Sequence, residues 1–322
     1  MKMDFMTTPA CAQSLAACRR LARKSHSNFV LAFRFLPADK RTAMTVLYAY
    51  LRWLDDLADT PLAQDDSLES RKNILKKWQE TIGTLAVNGP RDWEADLPGV
   101  VLLPALAAVV RKFKIPTESL TAVIDGMITD LAPDVRFADE PALSCWCDQV
   151  ATAVGQATLA ILGCSQDPNS PPIIQLTQAL AHAFQYTNIL RDIREDIAAN
   201  RLYFPLSELN RFGLDMSDFQ RATAASPAEL LARFSDNNDP LARFLAERIE
   251  KTEWLFRQSR PLFAYVDRDS RRVLQLMDHV YFSLFTKIRH RPSLVFHKPA
   301  RLSLYEKLLL LGRCWTDSTF AG

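Results

Sequence analysis

The sequence predicts an all-α fold, and three observations carry that expectation. Apolar residues recur at helical spacing along nearly all of the 322-residue chain. Alternating apolar–polar runs of useful strand length are absent. Prolines fall between the periodic segments, as expected of a residue that cannot donate the hydrogen bond of a helix interior. Glycine, at only 9 residues, is too scarce for a turn-rich β architecture.

Taken in order, residues 8–24 read as a helix. Thr8 is placed to act as N-cap, Pro9 fits the first turn, and Arg19, Arg20, Arg23 and Lys24 sit toward the negative end of the helix dipole. Val46, Leu47, Tyr50, Leu51, Leu54, Leu57 and Ala58 form a second apolar stripe, and Leu120, Val123, Met127 and Leu131 another. Leu180, Phe184, Leu190 and Ile193 form one more, with Thr187 as its single polar member. The prolines between such stripes imply about ten helices, with polar loops near 60–70, 88–98, 165–172 and 235–240. Neither a low-complexity linker nor an internal repeat divides the chain, so one domain over residues 1–322 is expected.

Composition excludes several function classes. A net charge of +2 gives no support to a nucleic-acid partner, and no glycine-rich phosphate loop occurs. Cys11, Cys18, Cys145, Cys147, Cys164 and Cys314 form no C-x-x-C and read as reduced, mostly buried thiols. His26, His182, His279, His290 and His297 are not at metal-ligand spacing and read as structural. No signal-like apolar region opens the chain and no apolar run reaches 18 residues, so a cytoplasmic protein is expected.

Two segments point to chemistry. In Tyr48-Ala-Tyr-Leu-Arg52-Trp-Leu-Asp55-Asp56-Leu-Ala-Asp59, the acids Asp55 and Asp59 stand one helical turn apart on one face, with Arg52 a turn earlier. Carboxylates so placed repel unless a positive charge lies between them, and a hard divalent cation suits oxygen ligands. In Gln185-Tyr-Thr-Asn188-Ile-Leu-Arg191-Asp192-Ile-Arg-Glu195-Asp196, positions 185, 188, 192 and 196 share a face of two amides and two carboxylates. Tyr186, Leu190 and Ile193 occupy another face and can pack into the core. A single acid pair at this spacing is common on solvated helix faces and says little. Two pairs on largely apolar helices say more, because ionised groups there need partners.

These segments resemble the two aspartate-rich motifs of the squalene/phytoene synthase family. The first reads Asp55-Asp56-Leu-Ala-Asp59 and the second Asn188-Ile-Leu-Arg191-Asp192-Ile-Arg-Glu195-Asp196. Arg201-Leu-Tyr203-Phe-Pro205 resembles the family's R-x-Y-x-P, and the likeness runs from about residue 25 to about 310. The resemblance implies a single helical bundle with a central substrate cavity. It implies metal ligation by Asp55, Asp59, Asn188, Asp192 and Asp196, holding two or three Mg²⁺ together with diphosphate. Arg52, Tyr48 and Tyr281 are implied as catalytic groups, the tyrosines beside the reacting carbons. Ser27, Asn28, Phe29, Gln185, Arg191, Trp146, Val150 and Tyr203 are implied as diphosphate or hydrocarbon contacts. Asn28-Phe29 stands where the family often has Ser-Phe. Trp146 and Thr152 stand where it has tyrosine and glycine, which reshapes the hydrocarbon pocket.

The implied reaction is head-to-head condensation of two prenyl diphosphates, farnesyl or geranylgeranyl, with NADPH required where squalene is the final product. Bulky Phe33, Phe35, Trp146 and Phe184 lean toward farnesyl diphosphate, with presqualene diphosphate and then squalene as products. A phytoene or dehydrosqualene type of synthase is the alternative. The chain end, Cys314 to Gly322, resembles no membrane anchor, which suggests a bacterial, soluble type with peripheral contact at the inner membrane surface. Oligomeric state is left open. Head-to-tail elongating enzymes and terpene cyclases lack the Arg191-Asp192 pattern and R-x-Y-x-P. A non-catalytic relative acting as an assembly or binding protein is expected to lose aspartates that this chain keeps.

Overall fold

The computed structural model describes residues 8–24, 28–59, 67–85, 93–303, 306 and 310. Helices dominate: α1 (Pro9–Lys24), α2 (Asn28–Ala32), α3 (Ala38–Asp59), α4 (Leu68–Thr84), α5 (Leu103–Phe113), α6 (Thr117–Asp130), α7 (Glu140–Cys147), α8 (Ala153–Leu162) and α9 (Pro171–Arg191). They continue with α10 (Ile193–Ala198), α11 (Leu206–Arg211), α12 (Met216–Ala224), α13 (Pro227–Ser235), α14 (Pro240–Ser259), α15 (Leu262–Tyr265) and α16 (Arg268–His290). Thr8 does cap α1, its hydroxyl accepting from the Cys11 amide at 3.3 Å. Pro104, Pro141, Pro227 and Pro240 all sit in first helical turns. The helices outnumber the expected ten because several are single turns. Residues 60–66 and 88–92 of two expected loops lie outside the described residues. Among the described residues, no helix is long and apolar enough to cross a membrane.

One feature corrects the sequence reading. Val135–Phe137 (β1) and Arg201–Pro205 (β2) pair as a short parallel ladder, Val135 opposite Arg201 and Arg136 opposite Leu202. Four consecutive residues of β2, Leu202 to Pro205, are buried, so no alternation marks it as a strand. Asn200 turns the chain into β2 with a left-handed φ of 56°. Its backbone and side-chain oxygens accept from Arg136 at 2.7 and 2.9 Å.

The described residues fall into two compact units. Those of the first fall within the spans Met1–Leu131, Thr152–Ile174 and Phe263–Leu274, those of the second within Ala132–Ala151, Gln175–Leu262 and Gln275–Gly322. In the first, α3 is the central element: Val46, Leu47, Tyr50, Leu54 and Leu57 are all buried. Tyr50 packs beside Trp78, ring centroids 5.8 Å apart, and its hydroxyl donates to the Leu120 carbonyl at 2.9 Å. Burial therefore costs no unsatisfied group there. Lys40, near the start of α3, donates to the Leu162 carbonyl and to Asp267, Asp269 and Ser270.

In the second unit, an aromatic core of Phe204, Phe219, Phe244 and Phe296 lies under α12 to α14. Each such ring contributes about 1.5–3 kcal/mol by leaving water. Glu140 anchors α7 to α9 and α14 by accepting from Tyr186, Arg248 and Lys251.

Candidate functional site

The acidic face of α3 follows from its regular geometry. Its apolar stripe is buried, and the next face carries Tyr48, Arg52, Asp55 and Asp56, each half-buried. Arg52 spans two acids, Nη1 at 3.0 Å from Asp55 Oδ2 and Nη2 at 2.5 Å from Asp56 Oδ1. Burial alone depresses the Arg52 pKa, but these two carboxylates outweigh it and hold the guanidinium above its ordinary value. Tyr48 meets Phe33 edge to face at 6.3 Å. Asp59 ends α3, and Asn28 and Phe29 open α2; their side chains, and Ser27 entirely, lie outside the described residues.

The second acidic face is not the unbroken helix that its spacing predicts. α9 stops at Arg191, and Asp192 adopts φ −102° and ψ 11° before α10 begins. Backbone bonds from Asp192 to the Asn188 carbonyl and from Asp196 to the Asp192 carbonyl, both 2.9 Å, carry the one-turn spacing through the break. Asp192 stands at the N-cap position of α10 yet makes no side-chain cap. Its carboxylate instead accepts from Arg191, Nε at 2.7 Å and Nη2 at 2.5 Å. Burial opposes the Arg191 charge, and Asp192 more than restores it. Asn188 Nδ2 donates to Gln185 Oε1 at 3.4 Å, a long bond, while Asn188 Oδ1 is buried with no hydrogen-bond partner. An orphaned carbonyl-type oxygen one turn before a carboxylate is a donor suited to a hard cation. Among the described residues, no three His, Cys, Asp or Glu side chains converge on one point, so neither face carries a complete acidic cage.

Tyr281, on α16, stacks on Phe184 of α9 with centroids 4.1 Å apart and lies close to Arg191. Aromatic surface and acidic face are thus adjacent along α9.

Residues 22–306 match the profile of squalene/phytoene synthase. The chain belongs to the squalene/phytoene synthase family, and is a prenyltransferase of that type. It is 31% identical to the presqualene diphosphate synthase of Rhodopseudomonas palustris, over 88% of this chain and 91% of that one. It is 29% identical to the phytoene synthase of Mycobacterium bovis, over 96% and 93%. In fold it is similar to a crystal structure of a dehydrosqualene synthase in complex with ligand. The TM-score is 0.73 at 24% identity, covering 94% of this chain and 95% of that one. The expected all-helical isoprenoid synthase fold is what the structure has.

Of the other residues implied by the resemblance, Trp146 and Tyr203 are buried and Val150 is half-buried. Trp146 stacks on Tyr203 at 4.7 Å and packs against Phe137 at 5.6 Å, so both rings belong to the core around the β1–β2 ladder. Val150 lies in a π-helical stretch, Asp148–Thr152, that joins α7 to α8. Such bulges often mark functional positions. Of the four bulky groups invoked for chain length, Phe33 is buried and Phe35 is 41% exposed, so they do not act as one wall. Sequence reasoning missed Asp148, which accepts from Gln178 at 2.8 Å and pairs with His182 Nε2 at 2.9 Å. The i,i+4 spacing of Gln178 and His182 was the available signal. It also missed the Glu140–Arg248–Lys251 network, in which Glu140 lies more than 100 residues from both of its basic partners.

Proposed function

We propose that the protein condenses two molecules of farnesyl diphosphate head to head, giving presqualene diphosphate with release of diphosphate. The observation that carries this reading is the 31% identity across nearly the whole length of an enzyme named presqualene diphosphate synthase. Asp55 and Asp59, with Asn188, Asp192 and Asp196, hold two or three Mg²⁺ ions in this proposal. Bound with substrate, those ions supply Lewis-acid stabilisation of the departing diphosphate. The orphaned, buried Asn188 Oδ1 supports the assignment, since a cation ligand needs a free oxygen.

Arg52 and Arg191 bind phosphate oxygens, and Gln185 steadies the Asn188 carboxamide. Tyr48 and Tyr281 present ring faces to the allylic cation left when the first carbon–oxygen bond breaks. Electrons of the second chain's double bond form the new carbon–carbon bond, and loss of a proton closes the cyclopropane ring. Ser27, Asn28 and Phe29 contact diphosphate, while Trp146, Val150 and Tyr203 shape the hydrocarbon wall. The prenyl chains of substrate and product favour peripheral contact with the inner membrane surface, the protein itself being cytoplasmic.

A phytoene-type reaction is the second reading, favoured by the 29% identity to a phytoene synthase over 96% of the chain. Supplying farnesyl and geranylgeranyl diphosphates separately, with and without NADPH, and weighing the products by mass spectrometry separates the two. Presqualene diphosphate from the shorter substrate is expected, and squalene in the NADPH arm extends the reaction to its reductive half. Phytoene from the longer substrate, with the shorter untouched, refutes the proposal.

A further inference from the structure

Each acidic motif carries its own arginine, and in both motifs that arginine holds a carboxylate assigned above to metal. Arg52 spans Asp55 and Asp56 at 3.0 and 2.5 Å. Arg191 forks onto the carboxylate of its own chain neighbour, Nε to Oδ1 at 2.7 Å and Nη2 to Oδ2 at 2.5 Å. A two-point guanidinium–carboxylate fork occupies one in-plane lone pair on each oxygen. It also places a full positive charge where a divalent cation has to approach. The two motifs reach the same charge pairing by different contacts, Arg52 bridging two carboxylates within a regular helix and Arg191 forking onto one at the break between α9 and α10.

We propose that Arg52 and Arg191 are exchangeable counter-ions. Without metal they neutralise Asp55 and Asp192; when metal and diphosphate arrive together, the guanidiniums transfer to phosphate oxygens and the carboxylates turn to the cation. This inference rests on the reading of Asp55 and Asp192 as metal ligands. Its consequence is linkage. A cation alone has to displace the guanidiniums from Asp55 and Asp192 while their positive charges stay close by, Arg52 still on Asp56, so it binds weakly. Diphosphate offers that anion, and by reciprocity each ligand strengthens the other's binding. Arg191 contributes more than Arg52, because its pair is 24–28% exposed while Arg52 and Asp55 are 41% and 46% exposed and better screened.

The test uses Mn²⁺ as the spectroscopic probe, its free concentration read by electron paramagnetic resonance, with and without inorganic diphosphate. Wild type should bind Mn²⁺ weakly alone and at least about tenfold tighter with diphosphate. Arg191→Gln should bind Mn²⁺ alone about tenfold tighter than wild type, because one nearby positive charge is gone. Its enhancement by diphosphate should shrink. Arg191→Lys, which keeps the charge but loses the fork, should fall between the two, and Arg52→Gln should show a smaller version of the Arg191→Gln effect. Melting temperatures establish that each variant is folded. If Arg191→Gln binds Mn²⁺ alone no tighter than wild type, counter-ion exchange is overturned while the ligand assignment stands. If Asp192→Asn binds Mn²⁺ and diphosphate as tightly as wild type, the ligand assignment itself fails, and the exchange with it.

Discussion

Phe184 and Tyr281 stack face to face, ring planes 12° from parallel, so α9 and α16 meet through one aromatic pair close to Arg191. Tyr281→Phe keeps the stacked surface and should retain most turnover. Tyr281→Ala should cost about tenfold or more in turnover through loss of a ring face for the cation. Phe184→Ala removes a ring that also touches Phe256, and should destabilise by about 2–4 kcal/mol in urea titration. Equal activity losses for Tyr281→Phe and Tyr281→Ala would transfer the role from the ring to the hydroxyl.

Asp55→Asn and Asp192→Asn should each reduce turnover at least about a hundredfold, since a hard cation loses a charged ligand. Thermal stability should change little in Asp55→Asn, because Asp55 belongs to a half-exposed pair with Arg52, a class worth about 0–1 kcal/mol. Asp192→Asn instead removes the two-point partner of the more buried Arg191 and should lower the melting temperature. Near wild-type turnover in both variants would return these acids to the surface-charge class.

Product formation should stop in EDTA and recover when excess Mg²⁺ is added back. Undiminished turnover in EDTA would sink the metal-dependent reading of both motifs.

Asp278, on α16, has its pKa pushed up to about 7 by burial, with Arg260 opposing only weakly. The folded protein therefore keeps a proton that the unfolded chain releases near the ordinary carboxylate value. Stability from this residue declines as pH rises from about 4 to about 7 and levels off above that. Melting curves between pH 5 and 8 should show the decline, and Asp278→Asn should flatten it.

Glu140→Gln should destabilise by about 1–3 kcal/mol, because Lys251 loses its carboxylate partner and Arg248 keeps only Glu208. Burial raises the Glu140 pKa, but Lys251, Tyr186 and Arg248 outweigh it and hold the carboxyl below its ordinary range. Its contribution is therefore present above that ordinary range and is lost as pH falls through the lowered value. Chemical denaturation of both forms checks the magnitude and the sign.

The acidic face of α3 was legible in the sequence because one regular helix fixes it: residue spacing is side-chain direction. That Arg52 would reach Asp56 as well as Asp55 was not, since both the i+3 and i+4 positions lie within reach. At the second motif the one-turn spacing was legible, but the break at Asp192 was not. No glycine or proline marks it, and the Arg191 fork that engages its carboxylate joins adjacent residues, outside the helical patterns that spacing reveals. β1 and β2 were hidden because a short, wholly buried ladder leaves no period-two trace. The Glu140 network joins residues far apart in sequence, which no local pattern records.

The position of Lys40 has a consequence for biosynthesis. Its partners Asp267, Asp269 and Ser270 follow it by 227, 229 and 230 residues. A ribosome adding about 5–20 residues per second needs roughly ten seconds or more to bridge that interval. The nascent helix that bears the first aspartate motif thus leaves the exit tunnel long before its anchoring partners exist. Its buried stripe has to be sheltered meanwhile by transient contacts or by chaperones, and substitutions at Lys40 should reveal themselves first as poor yield in cells.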